Sequence, residues 1–324
     1  MSRPAVGVIG GGAWGVALAA AAARTGGTTL LLSRRALDGG LPQGVTAARD
    51  GAEIAEKARL VLLAVPSGVA RTVARSLGPY VDGRHFIVHG VRGLVPVAEA
   101  PDPSRPVAAP GHLETISDVV RDETPARRLG ALGGPALASD LLAGRPSVMV
   151  CGSRYPEVTQ ALRQAFGTPL LRLYATEDLQ GLEWASALVG CLAIGVGYAR
   201  GVGLGPGLLA AFITRAVEEA GRLAASAGGD GRTLLGLAGY GDLLATVAQP
   251  ERPEVLVGEA LARGKSLEQA LADAGQRVEA VDLTARLAAW AASRDVAAPI
   301  FGTLAGSVLA GRTPDALVRE LMRG

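Results

Sequence analysis

Residues 5–23 read AVGVIGGGAWGVALAAAAA. Val6, Val8 and Ile9 make a short β-branched run that ends in Gly10, Gly12 and Gly15, and an alanine-rich stretch follows. The order is strand, glycine turn, helix. Gly10 permits a tight turn, Gly12 lets the backbone approach a pyrophosphate, and Gly15 lets helix pack on strand. N–H groups at the helix start, at Ala13 and Trp14, suit phosphate oxygens, and Trp14 can cover the bound group. The motif predicts a dinucleotide site. A secretory leader is the competing reading, because Arg3 precedes a long uncharged run. Five glycines interrupt that run (Gly7, Gly10, Gly11, Gly12, Gly15), whereas a leader needs an unbroken apolar helix. A membrane span needs about 20 strongly apolar residues, and this run is mostly Gly and Ala. A second uncharged stretch, Trp184–Tyr198, is shorter than a span and reads as a buried helix.

The chain has 324 residues, enough for two domains, and 49% are hydrophobic. Much of that fraction is alanine, so its helices should pack closely. The formal net charge is +2, and the few aromatics do not interleave with basic runs, which argues against a nucleic-acid partner. Cys151 and Cys191 lie in apolar contexts and suggest no disulfide framework. His85, His89 and His112 lack ligand spacing, so no metal site is expected. These features describe a soluble cytoplasmic protein without a membrane span. Lysine occurs only at Lys57 and Lys265, so almost all positive charge is arginine.

Strands and helices alternate through the first half. Strands are expected at Thr28–Ser33, Leu60–Val65, His85–His89, Leu129–Leu132 and Ser147–Cys151. Pro66 and Ser67 stop the second of these, and a helix follows to about Leu77. Pro101–Pro110 is a proline-rich connector. Repeated strand–helix units imply a doubly wound parallel sheet with ligands at the carboxyl ends of its strands. From about Glu177 the period becomes 3.6. Helices are expected at Asp178–Gly201, Pro206–Ala227, Leu234–Val247, Pro253–Arg263, Leu267–Ala274, Asp282–Ser293 and Pro299–Ala310. Ser266 looks like an N-cap, with Glu268 and Gln269 in the first turn. The fold class is therefore an α/β Rossmann-like doubly wound domain over residues 1–176, followed by an all-α domain over 177–324.

Enzymes that use NAD usually carry Asp or Glu at the end of the second strand. Here that place holds Ser33-Arg34-Arg35. A guanidinium pair suits a 2′-phosphate, so NADP is the expected cofactor, with NAD as the alternative.

Several strings together resemble the NAD(P)-dependent glycerol-3-phosphate dehydrogenase family. They are VIGGGAWG at Val8–Gly15, LLAVPS at Leu62–Ser67, RGL at Arg92–Leu94 and GGPALA at Gly133–Ala138. EDLQGLEWASAL at Glu177–Leu188, the ITR helix at Ile213–Arg215, GLAGYGDL at Gly236–Leu243 and GQRVEAV at Gly275–Val281 complete the set. The resemblance runs nearly end to end. It implies a Rossmann domain, a helical domain, and hydride transfer between NAD(P)H and dihydroxyacetone phosphate.

Reduction of a ketone leaves negative charge on the carbonyl oxygen, so a proton donor or cation is needed within reach. In the family a lysine serves, and the resemblance puts that position at Val189, with Gly190 at a neighbouring asparagine. Valine can neither donate a proton nor hold charge. Arg92 falls on a lysine that meets substrate and cofactor. Gly134 falls on a substrate-contacting turn, with Ala138 beyond it on the cofactor side. Asp242 is kept as a candidate catalytic carboxylate, and Thr246 lies one turn later on the same face. The substrate-binding S-R-N string falls on Arg252-Pro253-Glu254, where Arg252 can supply a guanidinium from one place earlier and Glu254 repels a phosphate. Glu279 holds a cofactor-side position. His89 and Tyr240 are candidate replacement acids. Three functions stay open: an active dehydrogenase of this family, an inactive NADP(H)-binding pseudoenzyme or sensor, and a reductase of a non-phosphorylated carbonyl or imine. A small-molecule substrate and a homodimer are expected by analogy.

Overall fold

β1 (Val6–Ile9) is buried at all four positions, as a strand covered on both faces must be. The computed structural model describes residues 4–37, 39–96, 112–310 and 316–322; the proline-rich connector Pro101–Pro110 lies outside them. After β1 come α1 (Ala13–Ala23), β2 (Thr29–Leu32), β3 (Val45–Ala47), α2 (Gly51–Lys57), β4 (Leu60–Leu63), α3 (Ser67–Leu77) and β5 (Phe86–His89). β6 (Val95–Pro96) and β7 (Leu113–Glu114) form a separate antiparallel pair. α4 (Ile116–Glu123), β8 (Arg128–Gly133), α5 (Ala138–Ala143), β9 (Ser147–Gly152), α6 (Pro156–Phe166) and β10 (Leu171–Thr176) complete the α/β part.

The main sheet has eight strands in the order β10-β9-β8-β5-β4-β1-β2-β3. The chain winds outward from β1 to β2 and β3, then returns to β4 on the other side. β1 is therefore the strand at which the order reverses, and ligands bind at the carboxyl end of such a strand. One pairing departs from the expected all-parallel sheet: β8 and β9 are antiparallel. A parallel crossover needs a helix about as long as the strand it returns along. α5 has six residues, about 9 Å, against about 20 Å for the six-residue β8. The other six neighbouring pairs of the sheet are parallel, as strand–helix alternation implies.

Two compact units result, one of Met1–Arg92 and Thr115–Glu183, the other of Gly93–Glu114 and Trp184–Gly324. The division falls within α7 (Leu179–Gly201) rather than after residue 176, and β6 and β7 go with the helical unit. α7 is 23 residues long, so length alone does not exclude a span. Burial decides its nature: every residue of its most apolar window lies inside the fold. It is a core helix, as its uncharged middle suggests.

The helical unit continues with α8 (Pro206–Ser226), α9 (Asp242–Val247), α10 (Pro253–Ala262), α11 (Leu267–Asp273), α12 (Glu279–Ala292), α13 (Pro299–Thr303) and α14 (Ala316–Leu321). α7 and α10 meet backbone to backbone. A Cβ on Gly258 would stand 2.0 Å from the Ile194 carbonyl oxygen, and one on Gly197 would stand 2.1 Å from that of Val255. The expected helix 234–247 is broken into a 3₁₀ turn at Gly231–Leu235, a π-type turn at Leu237–Gly241, and α9. Gly236, Gly239 and Gly241 are poor helix formers, which the periodicity conceals. α11 opens as expected, with Ser266 and Gln269 capping each other's N–H groups in a reciprocal box.

Glu219 of α8 is 1% exposed and accepts the N–H groups of Ile300 (2.9 Å) and Phe301 (2.8 Å) at the start of α13. Burial raises its carboxyl pKa, against the pull of those two donors. Glu219→Ala leaves both donors buried and unsatisfied, so it should cost about 2 kcal/mol. Glu219→Gln keeps one acceptor oxygen and should cost less. Denaturant titration of the two variants against the parent measures this; equal midpoints for Ala and Gln would contradict the capping role.

Candidate active site

The glycine turn lies at the carboxyl end of β1. Gly10 has φ +126°, and a Cβ there would stand 2.1 Å from the Ala64 carbonyl oxygen just past β4. A Cβ on Gly15 would stand 1.9 Å from the Gly10 carbonyl oxygen. Both glycines are thus required by close backbone approach between adjoining strands and α1. Gly12 differs: a Cβ there meets nothing within 4 Å. Gly12 is the N-cap of α1 and supplies no side-chain cap, so no capping side chain takes up the first N–H groups of α1. A pyrophosphate fits this cradle, where dipole and donors both favour negative charge. Ala13 is exposed beside it.

Trp14 lies across the carboxyl edge of the sheet. A Cβ on Gly90, the residue after β5, would stand 2.3 Å from its indole Nε1. Arg34 and Arg35 follow β2 and are exposed. The Ser33 hydroxyl donates to the Arg35 carbonyl at 2.7 Å and fixes the turn. Neither guanidinium makes a hydrogen bond or ion pair among the described residues.

Arg92 and Gly134 come together: Arg92 Nη2 donates to the Gly134 carbonyl at 3.0 Å, bridging the ends of β5 and β8. Ala138 opens α5 nearby in sequence, half-buried. His89 is no free acid. It is 3% exposed, its Nε2 lies 2.8 Å from Glu183 Oε1, and its Nδ1 faces the Val91 N–H at 3.3 Å. An N–H pointing at Nδ1 makes that nitrogen the acceptor, so Nε2 carries the proton and donates to Glu183. The Ser117 N–H also donates to Glu183, at 2.8 Å. Sequence reasoning missed this buried cluster. Its signal was Glu183 itself, a lone carboxylate in an uncharged helical run.

In the helical unit, Asp242 begins α9 and is 2% exposed. Thr246 is fully buried and donates to the Asp242 carbonyl at 2.9 Å. Arg252, the N-cap of α10, reaches both: its Nη1 lies 3.3 Å from Asp242 Oδ1 and donates to Thr246 Oγ1. Its Nε donates to Glu254 Oε2 at 3.1 Å. Burial alone would lower the pKa of Arg252, but the charges of Asp242 and Glu254 outweigh it and hold the guanidinium above its usual value. Val189 lies on α7 and is 1% exposed. Gly190 and Cys191 beside it pack on Ala280 of α12, next to Glu279 at that helix's first position. Burial pushes the Cys191 thiol up to about 12, so it is no thiolate. Ser186, one turn before Val189, has a buried hydroxyl with no hydrogen-bond partner among the described residues. Tyr240 is 39% exposed in the π-type turn. Among the described residues no group of three or more His, Cys, Asp or Glu could hold a metal.

A phosphate-binding turn at the reversal point of a doubly wound sheet, joined to a separate helical unit, defines a dinucleotide-binding protein of the two-domain dehydrogenase kind. The comparisons make this specific. Residues 33–159 match the family model described as NAD-dependent glycerol-3-phosphate dehydrogenase N-terminus, and residues 178–319 match the corresponding C-terminus. A glycerol-3-phosphate dehydrogenase [NAD(P)+] of Nitratidesulfovibrio vulgaris is 32% identical over 98% of this chain and 97% of its own length. One from Acinetobacter baylyi is 31% identical over 98% of this chain and 89% of its own. The crystal structure of glycerol-3-phosphate dehydrogenase from Coxiella burnetii superposes with a TM-score of 0.86 at 26% identity, covering 99% of each chain. The chain belongs to the NAD(P)-dependent glycerol-3-phosphate dehydrogenase family.

The contrast between glycines yields a test. Gly12→Asp adds a favourable N-cap in open space but sets a negative charge in the cradle. Its thermal midpoint should stay at or above the parent's, while NADPH affinity falls at least about 100-fold, the size of one lost charge-assisted contact plus repulsion. Gly15→Ala should instead lower the midpoint. Fluorescence titration with NADPH and a melting curve distinguish the two; unchanged affinity in Gly12→Asp would rule out the cradle.

Proposed function

We propose that the chain is an NADP(H)-dependent oxidoreductase that moves a hydride between the nicotinamide and a small keto or hydroxy compound, and that it reduces dihydroxyacetone phosphate poorly. The observation that carries this reading is the intact glycine cradle with two unengaged arginines beside it, joined to a helical unit in which residue 189 is a buried valine. Gly10, Gly12, Ala13, Trp14 and Gly15 would take the pyrophosphate side of the cofactor, and Arg34 and Arg35 its 2′-phosphate. Ala138 and Glu279 would complete the cofactor's surroundings. The bound nicotinamide supplies the hydride. Arg92, held on the Gly134 carbonyl, brings positive charge to the carboxyl edge of the sheet.

The proton is the weak point. Val189 stands where the family's lysine is expected, and loss of a positioned acid/base costs roughly 10²–10⁴-fold in rate. Arg252 is bonded to Asp242, Thr246 and Glu254, so it does not offer its whole fork to a phosphate. A non-catalytic NADP(H) sensor is the second reading, favoured by the same Val189 and by Gly190, neither of which bears a titrating group.

Two measurements test the proposal. Purified protein should bind NADPH more tightly than NADH, and Arg34→Ala with Arg35→Ala should shrink the difference by roughly 10-fold or more, the worth of a charge-assisted bond to phosphate. Equal affinities in the parent would defeat the cofactor assignment. NADPH oxidation with dihydroxyacetone phosphate should exceed a heat-killed control but remain about 10²–10⁴-fold below the rate of a lysine-bearing relative such as that of Coxiella burnetii. A rate equal to that relative's would show that Val189 costs nothing.

A further inference from the structure

We infer that Gly11 governs the preference for a 2′-phosphorylated cofactor, by fixing the arginine turn after β2 against the glycine cradle. This rests on the NADP(H) reading above and adds to it a residue with no side chain to offer either phosphate. The Gly10 N–H donates to the Leu32 carbonyl at 2.9 Å, so the glycine turn and the end of β2 are joined backbone to backbone. Just past that bond, Gly11 closes on the residues that follow β2. A Cβ on Gly11 would stand 2.5 Å from Ser33 Cβ, 2.0 Å from Ser33 Oγ and 3.1 Å from Leu37 Cδ2. Gly11 lacks the positive φ of Gly10, so its backbone conformation would admit other residues, and crowding alone forbids a side chain. Leu37 in turn packs on the core of the α/β unit. The turn that carries Arg34 and Arg35 is thus held near both ends against one glycine. Within it, Ser33 Oγ donates to the Arg35 carbonyl at 2.7 Å and accepts the Arg35 N–H at 3.3 Å, which fixes the peptide groups on both sides of Arg35.

The chemistry of the ligand makes this spacing matter. In NADP(H) the pyrophosphate and the 2′-phosphate hang from one ribose, so covalent geometry bounds their separation. A protein that takes the first phosphate group at the start of α1 engages the second only if its guanidinium groups lie at a matching distance. Charge-assisted bonds are short, about 2.7–2.9 Å, and directional. NADH carries a bare 2′-hydroxyl and makes no such demand. A methyl group at residue 11 would have to displace Ser33 by about 1 Å to reach ordinary carbon contact. Ser33 Cβ moves only with its backbone, so the turn would carry both arginines with it. The space beside Gly12, where a Cβ meets nothing within 4 Å, stays open. Gly11 is therefore a positioning residue that acts through Arg34 and Arg35. It occupies the place that a glycine motif leaves unspecified, between the crowded Gly10 and the open Gly12.

Fluorescence titration of the whole chain with NADPH and with NADH tests this, the readout being the ratio of the two Kd values. Gly11→Ala should shrink the preference for NADPH about 10-fold, the worth of one charge-assisted bond, while NADH Kd changes less than about 3-fold. In the background of Arg34→Ala with Arg35→Ala, the same substitution should change the ratio less than about 2-fold, because residues that act through one another do not add. Gly11→Ala with Ser33→Gly removes the obstructing Cβ and should raise the ratio again. Ser33→Ala needs no space, frees the peptide groups of Arg35, and should lower the ratio in the same direction even if Gly11→Ala does not fold. An unchanged ratio in either folded single variant, an equal loss of both cofactors, or full additivity with the arginine substitutions overturns the role of Gly11. A parent that binds both cofactors equally, or an arginine double variant that keeps the parent's ratio, overturns instead the 2′-phosphate assignment on which it rests.

Discussion

The contact on which the α/β unit turns is the approach of the Gly10 backbone to the Ala64 carbonyl, with Gly15 closing on Gly10 from the helix side. Neither leaves room for a methyl group. This crowding joins β1, β4 and the start of α1 at the strand where the sheet reverses order, and so points the first turn of α1 at the space beside Gly12. The turn is therefore a packing solution at Gly10 and Gly15. Its two crowded glycines and its one open glycine answer to different demands, and a motif written as three equivalent letters hides that division.

A second constraint governs the helical unit. Closely packed alanine and glycine let α7 and α10 touch backbone to backbone, which leaves little room for long polar side chains between them. Buried carboxylates must then be satisfied locally, since an uncompensated charge in such an interior costs several kcal/mol. Glu219 is met by two backbone N–H groups and Asp242 by an arginine. The two acids are fixed by different classes of donor, Glu219 from the start of α13 and Asp242 from the start of α10.

Much of this was legible in the residues. The glycine turn, the buried strands at β1, β4 and β5, the switch to helical period and the Ser266 cap follow from local chemistry and appear where expected. β10 escaped because it is an edge strand: Leu171 and Leu173 turn inward while Arg172 and Tyr174 meet water, so it shows alternation rather than a continuous apolar run. β3, with three residues, is too short to show any period. The direction of β9 and the break before Asp242 were invisible for another reason. They depend on helix length against strand length and on crowding around Gly239, and such quantities are not properties of a window of sequence. The pairing of His89 with Glu183 joins positions 94 apart; Glu183 beside an uncharged helical run marks a buried acid, but nothing local names its partner.

The same distinction explains Arg252. By alignment of strings it stands one place before the position expected to meet a phosphate, which invites the thought that it merely substitutes for that contact. The geometry gives it a different allegiance. Asp242 is 2% exposed and its carboxylate needs a cation. The N-cap of α10 brings a guanidinium within 3.3 Å of it. Arginine and lysine are not equivalent in this position. Lysine can lower its pKa and pass a proton, whereas arginine keeps its charge and offers a planar fork. Held between Asp242 and Glu254, the Arg252 guanidinium therefore gives both acids a counter-charge that does not titrate away.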